Sequence, residues 1–119
     1  MQHNQKYGCI GEEIALNYLI RSSYKIIFRN KRIGKDEIDI IATKNKFIIF
    51  IEVKTRLNDY FGSAEDQLSN NKYFNLKRAV SCYSFRNHIN EERLKIEFIA
   101  INLHISNKMA NIKHFINIL

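Results

Sequence analysis

The run Phe47-Ile48-Ile49-Phe50-Ile51-Glu52-Val53-Lys54 limits what this chain can fold into more than any other segment. Side chains two apart on a strand share a face. Phe47, Ile49, Ile51 and Val53 therefore line one face, while Ile48 and Phe50 line the other together with Glu52 and Lys54. A strand that is apolar on both faces belongs in the middle of a covered sheet. Lys44-Asn45-Lys46 just before it is a turn signal, and the preceding segment carries Ile38, Ile40, Ile41 and Ala42. The two segments read as a hairpin with strands over 36–43 and 46–54.

The charged end of that hairpin needs compensation, because buried charges without partners are costly. A two-residue loop at Asn45-Lys46 pairs Lys44 with Phe47, and the same register sets Asp39 opposite Glu52. The Cβ atoms of such a pair lie roughly 5 Å apart. Two carboxylates that close repel, and one of them tends to hold a proton. A hard divalent cation removes the repulsion. Mg²⁺ (or Mn²⁺) takes oxygen ligands and commonly uses one or two carboxylates plus a substrate phosphate. The backbone carbonyl of Val53 is a further candidate ligand. Lys54 is placed to position or deprotonate an attacking water and to offset phosphate charge. The plainer alternative is a decorated strand end, in which Lys54 simply pairs with Glu52 or Asp39.

Residues 6–22 read as a helix with Ile10, Ile14 and Tyr18 as its apolar face. Gly8, Gly11 and Ala15 form a second, small-residue face. A glycine inside a helix costs about 1 kcal/mol, so two of them a turn apart imply close approach to another element. Glu12 projects near that face. Residues 24–32 form a strand ending in the basic Arg29-Asn30-Lys31-Arg32, and residues 57–68 look irregular. A second helix runs from Ser69, its N-cap, to Phe85, with Tyr73, Leu76, Val80 and Tyr83 as its apolar stripe. Residues 94–102 form a fourth strand, and the tail from His114 to Leu119 packs back as a short strand or helical turn. The order αβββαβ plus a tail indicates α/β layers. With no repeat or linker, residues 1–119 read as a single domain.

Lys and Arg exceed Asp and Glu by a net +7, which favours polyanions such as nucleic acid or an anionic membrane surface. Hydrophobic residues make up 45% of the chain, enough for one core without disulfides or a structural metal. Cys9 and Cys82 are far apart, and no histidine stands in finger spacing, which argues against zinc and a disulfide framework. Free thiols suit a reducing cytosol, so a cytoplasmic protein is expected. The polar start Met1-Gln2-His3-Asn4-Gln5-Lys6 is no secretory signal. The longest apolar run, Phe47 to Ile51, is far too short to span a bilayer, so no membrane partner is expected.

An upstream Asp followed by Glu-x-Lys on adjacent strands resembles the PD-(D/E)XK, or restriction-endonuclease-like, superfamily. More narrowly, the chain looks like the YraN-like family of small bacterial proteins. The resemblance covers nearly the whole length. It includes Gly8-x-x-Gly11-Glu12-x-x-Ala15, Arg29-Asn30, Glu37-Ile38-Asp39, Phe50-Ile51-Glu52-Val53-Lys54-Thr55-Arg56, Gly62-Ser63 and Lys72-x-x-x-Leu76-x-x-Ala79. It implies a restriction-endonuclease-like αβββαβ core with a mixed sheet flanked by helices. It also implies a metal-dependent endonuclease, with branched or structured DNA as substrate class. By similarity to archaeal Holliday-junction resolvases of the same superfamily, Glu12 would join the acidic site. The chain departs from the family where Asp36 replaces a glycine before Glu-Ile-Asp, adding negative charge near the site. It departs again where Ser69-Asn70 replaces a Thr-Pro.

Among other residues, Arg29, Arg56 and Lys72 are candidates for DNA phosphate contacts, with a solvated rim as the plain alternative. Tyr60 and Phe61 are candidates for stacking on bases or for covering the core edge. His3, His88, His104 and His114 show no ligand spacing and read as incidental. Three functions follow: a Mg²⁺-dependent endodeoxyribonuclease, a non-catalytic nucleic-acid-binding module, or a protein-interaction adaptor that retains the fold. A homodimer would suit a small nuclease acting on two strands, although no sequence feature demonstrates it.

Overall fold

The computed structural model describes residues 2–57 and 69–116. Helix α1 (Gln2–Arg21) is followed by three consecutive strands, β1 (Lys25–Ile33), β2 (Asp36–Lys44) and β3 (Phe47–Leu57). Helix α2 (Asn70–Asn87), a 3-10 turn (Glu91–Arg93) and strands β4 (Leu94–His104) and β5 (Met109–Phe115) complete the chain. The sheet has the order β1-β2-β3-β4-β5. Only β3 and β4 run parallel; the other three pairings are antiparallel. This is the α/β, restriction-endonuclease-like arrangement with a mixed sheet that the resemblance implied. The sequence called irregular over 57–68 lies outside the described residues except for Leu57, which ends β3, and Tyr60 and Phe61 lie outside them too.

The β2–β3 hairpin follows the expected register. Lys44 pairs with Phe47, and the ladder continues to Ile40 opposite Ile51. Asn45 and Lys46 have φ of 53° and 73°, both positive as the tight I′ turn requires. At the β1–β2 turn, Gly34 (φ 62°) takes the first central position, where a side chain would be strained.

The central strand is covered on both faces. On one side α1 buries Ala15 and Leu19 against Ile40, Ile49, Ile51, Ile99 and Ile101. On the other, α2 buries Leu76, Ala79 and Val80 against Ile41, Ile48, Phe50 and Ile96. Tyr83 meets Phe50 edge to face, with centroids 5.4 Å apart. Among the described residues no helix is long and apolar enough to cross a membrane.

Three local expectations are corrected. The buried stripe of α1 is the small-residue face, with Gly11, Ala15 and Leu19; of the expected apolar face, Ile14 and Tyr18 pack against the edge of the core while Ile10 stays 40% exposed. The helix lies so close to β3 that a Cβ on Gly11 would stand 2.8 Å from the Thr55 Cβ, and only glycine fits that contact. Gly8 makes no such approach, since a Cβ there would meet open space. The tail does pack back as a strand, but β5 begins at Met109 rather than His114 and pairs with β4 from His104 back to Phe98; residues 117–119 of that expected tail lie outside the described residues.

Candidate functional site

The antiparallel ladder of β2 and β3 ends one step short of Asp39 and Glu52. There Asp39 turns its side chain onto the neighbouring backbone, and Oδ2 accepts a 2.8 Å hydrogen bond from Val53 N–H. Glu52 is 7% exposed. Its Oε1 is buried with no hydrogen-bond partner, and its Oε2 lies 3.3 Å from Lys72 Nζ.

Burial pushes the Glu52 carboxyl up to about 8, with the Asp39 charge adding to the rise and Lys72 opposing it. Burial also raises Asp39, against the lowering effect of the Val53 N–H. The pair thus retains a proton near neutral pH, as two adjacent carboxylates in a low-dielectric setting must. Glu12, half-buried on α1, is raised by burial and then by the charge of Asp39. Glu12 therefore stands within the electrostatic reach of Asp39.

Two clefts divide the groups around Glu52, which itself lines neither of them. The larger, about 500 Å³, is lined by Glu12, Val53, Lys54, Arg56 and Gly8 among others. The smaller, about 240 Å³, holds Asp39, Lys72, Lys35 and Asn75. Asp39 and Val53 join them through their hydrogen bond. Lys54 is exposed, and no ion pair to it is found among the described residues. Its proposed pairing with Glu52 or Asp39 is therefore not what the structure holds; Lys72 takes that place.

The structure brings Asp39, Glu52 and Val53 together, with Glu12 and Lys54 on the adjoining cleft. Among the described residues no group of three or more His, Cys, Asp or Glu side chains could hold a metal ion. The donors at hand are two carboxylates and a backbone carbonyl. All are oxygens, of the type a hard cation takes, and Glu52 Oε1 is buried with no protein donor beyond the proton its carboxyl shares with Asp39.

Other expected positions separate. Arg29 lies in an exposed ion pair with Glu13 at 2.8 Å. Arg56 lines the larger cleft. Asp36 does not load the site with free charge, because Arg78 binds it through two nitrogens at 2.9 and 2.7 Å and holds its carboxyl below the usual range. His114 is not incidental: its Nε2 lies 2.7 Å from Glu97 and its Nδ1 2.9 Å from the Tyr18 hydroxyl. No spacing rule could have found that contact, since Tyr18 and His114 meet only through the tertiary fold. Lys72 did carry a signal, a lysine in a helix first turn that holds no acidic residue.

The family model described as uncharacterised protein family UPF0102 matches residues 11–101. A UPF0102 protein of Alkaliphilus oremlandii is 36% identical over 114 residues, covering 96% of this chain and 97% of the relative. One from Carboxydothermus hydrogenoformans is 34% identical over 117 residues, covering 98% of each. A third, from Cytophaga hutchinsonii, is 37% identical over 102 residues, covering 85% of this chain and 88% of the relative. A family match over most of the length, joined to the Glu-Ile-Asp and Glu-Val-Lys segments on one hairpin, places this chain in the UPF0102 family, the YraN-like family its sequence resembles.

Proposed function

We propose that this protein is a metal-dependent endonuclease that hydrolyses DNA phosphodiester bonds, with branched or structured DNA as the substrate class. The observation that carries the reading is the Glu52 carboxyl: buried in the middle of the central strand, just past the last β2 pairing, beside a second carboxylate, with one oxygen that no protein donor reaches. Such a group is costly in a purely structural role and suited to a site that receives a cation.

In this reading Asp39, Glu52 and the Val53 carbonyl hold Mg²⁺ or Mn²⁺. The Val53 N–H faces Asp39, and a strand residue directs its N–H and C=O to the same side. Held there, the cation supplies Lewis-acid polarisation of a phosphoryl oxygen and a more acidic water. Lys54, exposed at the cleft and without an ion-pair partner among the described residues, positions the attacking water and offsets phosphate charge. Glu12 borders the same cleft and adds negative field from α1. Arg56 lies where the backbone of a bound strand would run, and the net charge of +7 favours that encounter.

The test is cleavage of plasmid and four-way-junction DNA with Mg²⁺ or Mn²⁺. Wild type should cut, and Asp39→Ala and Lys54→Ala should each lose about 100-fold or more. Equal cleavage by all three would indicate a contaminant and end the proposal. One observation favours a second reading. The Lys72–Glu52 ion pair partly balances the site from within, as a non-catalytic nucleic-acid-binding module would require. That module would bind DNA unchanged in chelator and cut nothing.

A further inference from the structure

Lys72 occupies the third position of α2, where its backbone N–H is held at 3.1 Å by the Ser69 cap. A cation in the first turn of a helix faces the positive end of the helix dipole and is disfavoured there. The first turn of α2 carries no acidic residue to offset it. What offsets it comes from across the layer: Glu52 on β3, 3.3 Å away. The two partners differ in access, for the Lys72 side chain is 42% exposed and that of Glu52 only 10%. Lys72 can therefore withdraw to water without opening the core, while Glu52 cannot move.

We propose that Lys72 is the resident counter-ion of the Asp39–Glu52 pair, standing in for the divalent cation and exchanging with it. Lys54, the lysine of the strand motif, is then left for substrate. This inference rests on the metal-site reading above and adds the regulation of that site. A protein without metal keeps its buried carboxylate partly neutralised, and metal entry must displace Lys72. The exchange sets a threshold of metal concentration below which the site stays closed to chemistry. Lys72 acts through Glu52 and is a positioning residue.

The experiment is direct Mn²⁺ binding by calorimetry and by the electron paramagnetic resonance of free Mn²⁺, at one mildly alkaline pH, on the folded full-length protein. Four chains are compared: wild type, Lys72→Met, Lys72→Arg and Glu52→Gln. Removing one positive charge beside the site should tighten Mn²⁺ binding on the order of tenfold in Lys72→Met. Lys72→Arg, which keeps the charge, should stay near wild type, and Glu52→Gln should lose binding. Circular dichroism checks that each variant is folded, and Lys72→Arg against wild type carries the comparison should Lys72→Met fail to fold: an arginine variant that binds Mn²⁺ tenfold tighter would refute the charge argument. Equal or weaker binding by Lys72→Met, with wild type binding and Glu52→Gln not, overturns the role of Lys72 alone. No binding by wild type, or equal binding by Glu52→Gln, overturns the metal reading and this inference with it.

Discussion

Glu52 and Glu97 stand on adjacent strands, at 7% and 4% exposure, yet their surroundings differ in kind. Glu97 lies on the α1 side of the sheet. Its Oε1 accepts from the Tyr24 hydroxyl at 2.8 Å and from His114 Nε2 at 2.7 Å. A carboxylate only accepts, so Nε2 carries the hydrogen, and in the neutral ring Nδ1 accepts from Tyr18 at 2.9 Å. The Tyr24 phenol, in turn, is pushed up by burial and by its bond to Glu97. Glu52 lies on the α2 side, with one lysine at 3.3 Å, one carboxylate neighbour and an oxygen that nothing donates to. Burial alone does not separate a structural carboxylate from a functional one. The chemistry of the neighbours sets the two apart: donors around Glu97 fasten β5 and α1 to the sheet, whereas Glu52 has an acid beside it and a single lysine, the surroundings on which the proposed metal site rests.

The largest expected effect comes from breaking the satisfied end. Glu97→Ala leaves the Tyr24 hydroxyl and the His114 ring without their acceptor and should cost about 3 kcal/mol or more, read as a lower midpoint in denaturant unfolding. A variant as stable as wild type would erase the distinction between the two sites.

Glu52→Gln should act with the opposite sign. The Glu52 pKa is raised from 4.5 to about 8 on folding, so the folded state binds the proton more tightly than the unfolded one. That stability is fully present below about 4.5 and is lost as pH rises through about 8. The metal-free wild type should therefore weaken over that window. Glu52→Gln should flatten this part of the pH profile and be more stable by about 1–4 kcal/mol on the alkaline side. A wild-type profile that rises across the window would show that the carboxylate is ionised without penalty.

A smaller effect tests how the two ends are joined. Gly11→Ala drives a methyl into Thr55 and should cost about 1–3 kcal/mol. Because the clash lies beside Val53 and Lys54, it should disturb the larger cleft more than the Tyr18–His114 contact at the other end of α1. Thr55→Gly in the same chain should recover part of the loss in thermal unfolding. No rescue would mean that α1 is positioned by something other than this contact.

How far the sequence carries can be judged residue by residue. Phe47–Val53 announces a central strand because its apolar character on both faces has no other use in a small α/β domain. Ser69 announces a helix start, and the cap is there, with its side chain on Lys72 N–H. The two-residue loop Asn45-Lys46 fixes the register, and with it the juxtaposition of Asp39 and Glu52, because a hairpin of period 2 allows no slip without turning every side chain over. These are local matters, decided by neighbours along the chain.

Only the tertiary structure decided the rest. It chose Lys72 over Lys54 as the partner of Glu52, buried Gly11 and Ala15 of α1 in place of Ile10, and drew His114 into a network with Glu97, Tyr18 and Tyr24. Each of those outcomes depends on how a helix or a distant strand docks on the sheet. Docking is set by the shape and volume of surfaces assembled from separate segments, for which spacing along the chain holds no rule. The sequence alone thus determined that two carboxylates meet; the packing of α1 and α2 determined which charges and which cleft surround them.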